Sequence, residues 1–184
     1  MGKILVIAEK PKTAKLLREG LFPSQPNISF VRCGTSAIGA AQVGYYENDN
    51  IIIAYTRGHL MSLYDVEDYA YGANAKLSKE QKSWGNTSLP FVPDKFKRKL
   101  TSKNDKSGFC EKQFKVIKKL VNRDDVDFIV HYGDPDNEGE LLVREVLEEA
   151  NCTKPVKRLF TNSLVPSVIA SAFYTNLKDD RDYF

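Results

Sequence analysis

Cysteine is scarce in this sequence, and what there is lies scattered. Cys33, Cys110 and Cys152 form no C-x-x-C pair, and only His59 and His131 could join them. A structural zinc site is therefore not expected, and an odd cysteine count does not suit a disulfide framework. The apolar run Lys3–Ala8 leads directly into charge and is too short for a secretory leader, which points to a reducing, cytoplasmic setting. The longest apolar runs are of strand length, so no membrane span is expected. Long Gly, Ser or Pro tracts and internal repeats are also missing, which excludes linker-rich and solenoid chains. Neither sign of charge dominates, the net being +3. With 184 residues, 42% of them hydrophobic, one domain with a substantial core is expected.

What is present is an alternation of strand and helix signals. Residues 3–8 (Lys-Ile-Leu-Val-Ile-Ala) read as a buried strand, broken by Glu9-Lys10-Pro11, with Pro11 suited to the first turn of a helix running to about residue 19. Ile28–Cys33 and Ile51–Thr56 are further strand candidates. Residues 64–108 read as an irregular excursion, of a length that is usually functional or mobile. Phe114, Ile117, Leu120 and Val121 mark one face of a helix over about 111–122. Phe128–Val130 resumes strand character. A helix over about 137–150 follows, with Leu141, Leu142, Val146 and Leu147 inward. Val156–Phe160 reads as a last strand, and Pro166 opens a helix through Phe173. The fold class predicted is α/β, a largely parallel sheet flanked by helices, with ligands at the C-terminal ends of the strands.

That edge collects the acids. Glu9 follows the first strand, and Asp134, Asp136, Glu138 and Glu140 follow the strand that ends near His131 and Tyr132. In extended backbone, positions i and i+2 face one side, so Asp134 and Asp136 can converge. Carboxylates packed together repel one another unless a cation neutralises them, and oxygen ligands suit Mg²⁺ together with a substrate phosphate. The pattern points to Mg²⁺-assisted phosphoryl transfer. Three other readings compete with it: helix capping by an aspartate; a calcium loop, since Asp134, Asp136, Glu138, Gly139 and Glu145 fall near EF-hand spacing; and a nucleotide loop at Gly34–Gly39, which lacks the Lys-Ser/Thr of a phosphate loop. Lys95, Lys97, Arg98, Lys99, Lys103 and Lys106, then Lys112, Lys115, Lys118 and Lys119, suit a polyanion or a solvated face.

Several ordered motifs resemble the type IA DNA topoisomerases, the topoisomerase III branch above all. Val6-Ile-Ala-Glu-Lys-Pro11 is similar to the first motif of their Toprim domain, and Gly58-His59-Leu60 to a second landmark. Trp84–Pro93, Lys112–Lys118, the acidic signature Gly133–Glu140 and the segment from Arg158 to Ala172 follow in order. The resemblance implies a Toprim (Rossmann-like) domain over 1–160, with about four mainly parallel strands and the excursion at 64–108. Residues 161–184 would begin a following helical segment of a longer parent. It implies a Mg²⁺-dependent enzyme that cuts one DNA strand through a 5′-phosphotyrosine link, passes a second strand and reseals. Under it, Glu9 and Lys10 are catalytic; Glu9, Asp134, Asp136 and Glu138 hold the metal; and Lys10, His59 and Asn137 contact DNA. Asn137 departs from the family's usual Arg. None of the nine tyrosines stands in the family's nucleophile context, so this chain alone is not expected to cleave DNA. The implied partners are single-stranded regions of negatively supercoiled DNA and a helicase or single-strand-binding protein, in the nucleoid. Another Toprim enzyme, such as a primase or nuclease, and a non-catalytic DNA-binding Toprim module remain the alternatives.

Overall fold

Continuous apolar runs become the central strands, as expected for strands covered on both faces. The computed structural model describes residues 2–24, 28–34, 42–73, 75–81, 90–101 and 108–179. Strand β1 (Lys3–Ala8) lies between β4 (Ile51–Tyr55) and β7 (Val126–Tyr132), parallel to both, with Ala8 opposite Tyr55 on one side and Tyr132 on the other. Strand β8 (Val156–Leu159) adds to β7, again parallel. This four-stranded parallel core carries three antiparallel additions, making seven strands in the order β2-β3-β4-β1-β7-β8-β9. Two of these, β3 (Val43–Glu47) and β9 (Leu177–Asp179), carry no clear strand pattern in the sequence. Both are short and incompletely buried, and backbone pairing with β2 (Ser29–Gly34) and β4, or with β8, organises them.

Helix α1 (Pro11–Leu21) opens on its proline and buries Ala14, Leu17 and Leu21. Helix α3 (Phe109–Val121) buries Ile117, Leu120 and Val121 as the periodicity predicts, while Phe114 lies only half-buried. In α4 (Asn137–Glu149), Leu142, Val146 and Leu147 face the core, but Leu141 is 46% exposed. The apolar stripe of α4 is rotated from the one its sequence suggests, with Val143 rather than Leu141 facing inward. Helix α5 (Pro166–Thr175) packs on α1.

Among the described residues, the excursion and its edge hold regular structure that the sequence does not announce. Strands β5 (Met61–Leu63) and β6 (Arg98–Leu100) pair antiparallel, and α2 (Val66–Tyr71) starts on a capping box between Asp65 and Asp68. Lys99 is held by Asp65 and Asp68. Residues 74, 82–89 and 102–107, which include most of the Trp84–Pro93 motif and Lys103 and Lys106, lie outside the described residues. So does 35–40, which carries the Gly34–Gly39 loop. No described helix is long and apolar enough to cross a membrane.

Candidate active site

The parallel pairing of β1 with β7 continues one residue past β1 and fixes Glu9. Its N–H donates to the Tyr132 carbonyl (3.1 Å), and its own carbonyl accepts from Thr56 Oγ1 (2.6 Å). The Glu9 side chain is buried, so its carboxylate needs partners. Oε2 accepts from the Asp134 N–H (2.8 Å), and Oε1 meets the Lys10 ammonium at 2.7 Å. The same ammonium reaches Asp134 Oδ2 at 2.8 Å. Hydrogen bonds from Lys10 to Asp134, and then to Glu9, raise the lysine pKa further above its ordinary value. Lys10 is therefore charged at any physiological pH.

The turn from β7 to α4 depends on the two glycines of the acidic signature, Gly133 and Gly139. A Cβ at Gly133 would lie 2.2 Å from the Gly139 carbonyl oxygen. One at Gly139 would lie 2.5 Å from the Asp134 carbonyl oxygen and 2.8 Å from Glu9 Oε2. Backbone thus packs on backbone, and α4 starts directly beneath Asp134.

The four acids of the signature separate. Asp134 joins Glu9 and Lys10. Asp136 is the N-cap of α4, with Oδ1 accepting from the Gly139 N–H (2.7 Å), so the capping reading holds for one of its oxygens. Asn137 and Glu138 lie exposed on the first turn, and Glu138 Oε1 is 3.4 Å from His59 Nε2. Glu140 turns the other way, held by Arg144 Nε (2.6 Å) and Arg158 Nε (2.7 Å). No calcium loop forms, since a strand enters the motif and Glu145 faces Arg98 (3.2 Å) and His59 (3.8 Å). Arg98 and Lys99, counted above in the basic stretch, are both engaged by acids within the chain.

Beneath the turn lies a layer that sequence reasoning missed. Arg158, on β8, is 1% exposed and donates to the carbonyls of His131, Gly133, Asp134 and Leu159 as well as to Glu140. His131 is fully buried; its Nδ1 accepts from the Gly133 N–H (3.2 Å), and Nε2 lies 3.1 Å from the Glu140 carbonyl, which assigns the proton to Nε2. Burial, and then the Arg158 charge, push the His131 pKa down to about 4, so the ring is neutral. The available signal was a charged residue inside a predicted strand that adjoins an acidic motif.

Among the described residues, no three His, Cys, Asp or Glu side chains are gathered as metal ligands. The donor chemistry nevertheless fits a small hard cation. Two carboxylates from neighbouring strand ends, Glu9 and Asp134, already share one positive charge, and carboxylate oxygens are the ligands such a cation takes.

A parallel α/β sheet with a glutamate after one strand, and a glycine-framed acidic turn after the next, defines a Rossmann-like domain whose charged site lies at the switch edge. The chain belongs to the Toprim domain family, whose profile matches residues 4–164. It is 33% identical over 183 residues to DNA topoisomerase 3 of Bacillus licheniformis, covering 100% of this chain and 21% of that one. Identity to DNA topoisomerase 3 of Bacillus subtilis is 32% over 183 residues, with the same coverage. To DNA topoisomerase 3 of Staphylococcus aureus it is 30% over 181 residues, 98% of this chain and 21% of that one. The chain thus spans about a fifth of the length of these relatives.

Proposed function

We propose that the chain is the Toprim part of a type IA DNA topoisomerase of the topoisomerase III kind, which positions the scissile phosphate of single-stranded regions in negatively supercoiled DNA. The observation that carries this reading is the meeting of Glu9 and Asp134, from the ends of adjacent parallel strands, around the Lys10 ammonium. Glu9, Asp134, Asp136 and Glu138 would hold Mg²⁺, Asp136 through the oxygen not used for capping and Glu138 after its exposed side chain turns from His59. Bound there, Mg²⁺ would stabilise the negative charge that develops on the phosphate.

Lys10 is half exposed and can turn from its carboxylates to a phosphate oxygen, where it acts as a point cation. A tyrosine from outside residues 1–184 attacks phosphorus, and the bond from phosphorus to the 3′-oxygen breaks. The proton released by the tyrosine hydroxyl passes to the Glu9 carboxylate and from it to the departing 3′-oxygen, and the transfer reverses when that oxygen reseals the strand. His59 and the exposed Asn137 stand on the DNA side of the turn. Asn137 offers hydrogen bonds where an Arg would add a charge. A helicase or a single-strand-binding protein, which would supply single-stranded DNA, is the partner class that suits this activity.

The test is relaxation of negatively supercoiled plasmid by the longer protein that carries this chain. Relaxation should need Mg²⁺ and should be lost in Glu9→Gln, while residues 1–184 alone should form no covalent adduct with a single-stranded oligonucleotide. An adduct from residues 1–184, or undiminished relaxation by Glu9→Gln, would overturn the reading.

A further inference from the structure

Arg158 is the largest of the fully buried side chains, and it stands on a strand of the sheet. An isolated buried cation is costly, so its five hydrogen bonds call for a reason beyond packing. Two of them fall on consecutive carbonyls of the acidic turn. Strand β7 ends at Tyr132, and the carbonyls of Gly133 and Asp134 lie beyond the paired strand. Arg158 Nη1 donates to Gly133 O (2.9 Å), and Nη2 donates to Asp134 O (2.9 Å). Glu140 anchors the same guanidinium through Nε (2.7 Å).

The peptide joining Gly133 to Asp134 is a planar unit whose carbonyl and N–H point in opposite directions. Its carbonyl faces Arg158 below, so its N–H faces up, and that N–H is the one donated to Glu9 Oε2 at 2.8 Å. One peptide therefore connects a buried guanidinium to the carboxylate of the candidate site. Its position also sets where Asp134 Oδ2 meets Lys10.

We propose that Arg158 is a positioning residue that clamps the Gly133–Asp134 peptide, fixes how Glu9 and Asp134 converge, and thereby sets the affinity of the site for Mg²⁺. The last clause rests on the metal reading above; the clamp itself does not. Lysine keeps the charge but not the planar fork, so Arg158→Lys separates geometry from charge.

Residues 1–184 carrying Arg158→Lys are compared with wild type and with Arg144→Met, at a temperature where circular dichroism shows all three folded. Amide hydrogen exchange is followed without metal, and Mg²⁺ affinity by titration calorimetry. In Arg158→Lys the Asp134 amide should exchange at least about tenfold faster and Mg²⁺ should bind about tenfold more weakly. Arg144→Met, which takes a different cation from Glu140 and leaves Arg158 in place, should change neither. Unchanged Asp134 protection and Mg²⁺ affinity in folded Arg158→Lys would overturn the proposal. Should that variant not fold, Glu140→Gln takes its place, with the same readouts and a smaller shift. A wild-type chain that binds no Mg²⁺ sinks the metal reading and the affinity half of the proposal, and the amide readout still decides the clamp.

Discussion

The acidic turn has two sides, built from the same short stretch of sequence and opposite in balance. Above it, two carboxylates, Glu9 and Asp134, share the single ammonium of Lys10, and Asp136 and Glu138 stand exposed beside them. Below it, one carboxylate, Glu140, is shared by two guanidiniums, with a neutral histidine packed alongside. Solvent access separates the two. Below, the buried Arg158 and His131 must be hydrogen-bonded and neutralised to exist at all; above, Glu9 is buried and paired in the same way, but Asp134, Asp136 and Glu138 reach solvent, where negative charge can stay uncompensated. The lower side supports the turn, and the upper side is where the proposed Mg²⁺ would bind.

The contrast breaks most sharply at Arg158. Arg158→Met leaves Glu140 with one fewer cation and strands several carbonyls, and should cost roughly 3–5 kcal/mol in urea unfolding. Lys10→Met, which takes the ammonium from the buried Glu9 carboxylate but leaves it the Asp134 N–H, should cost less, about 1–2 kcal/mol. Equal costs would dissolve the distinction between the two sides.

Activity should sort the other way. In the longer protein, Asp134→Asn should slow plasmid relaxation by roughly 10²–10³-fold, the scale for loss of a charge-stabilising group, while its melting temperature stays near wild type. A large fall in melting temperature with little change in rate would place Asp134 with the supports.

The lower side also carries a pH signature. His131 has its pKa depressed in the fold, from 6.5 to about 4, so its neutral form is the one that folding selects. The stability it contributes is complete above about pH 6.5 and is lost as pH falls towards 4, a change on the order of 3 kcal/mol. His131→Asn, which retains an acceptor for the Gly133 N–H, should flatten that part of the curve. An unchanged acid limb would show that other groups account for it.

The smallest effect is expected at Asn137. Asn137→Arg adds a cation at an exposed position on the upper side. It should steepen the salt dependence of DNA binding by about one unit of slope and leave stability within about 0.5 kcal/mol. No change in slope would remove this position from the DNA side.

Much of the fold was legible because continuous apolar runs and strong breakers mark the core strands and α1 without help from neighbours. Strands β3 and β9 were not legible, since their pairing partners rather than their own patterns define them. Leu141 misled for a related reason: helical spacing gives a stripe, but which of its edges is covered depends on what packs against it. At the site, the sequence placed Glu9, Lys10 and the acidic run at one sheet edge. It could not say that Glu140 would turn inward, because the choice depends on two arginines, one of them on a strand 18 residues away.

The sequence by itself determined the α/β alternation, the family, and the gathering of carboxylates where parallel strands end, because these follow from periodicity and from motif order. Only the tertiary structure decided which acids face solvent and which are neutralised beneath the turn. That division depends on burial and on long-range hydrogen bonds to Arg158 and His131, and neither is encoded in local spacing.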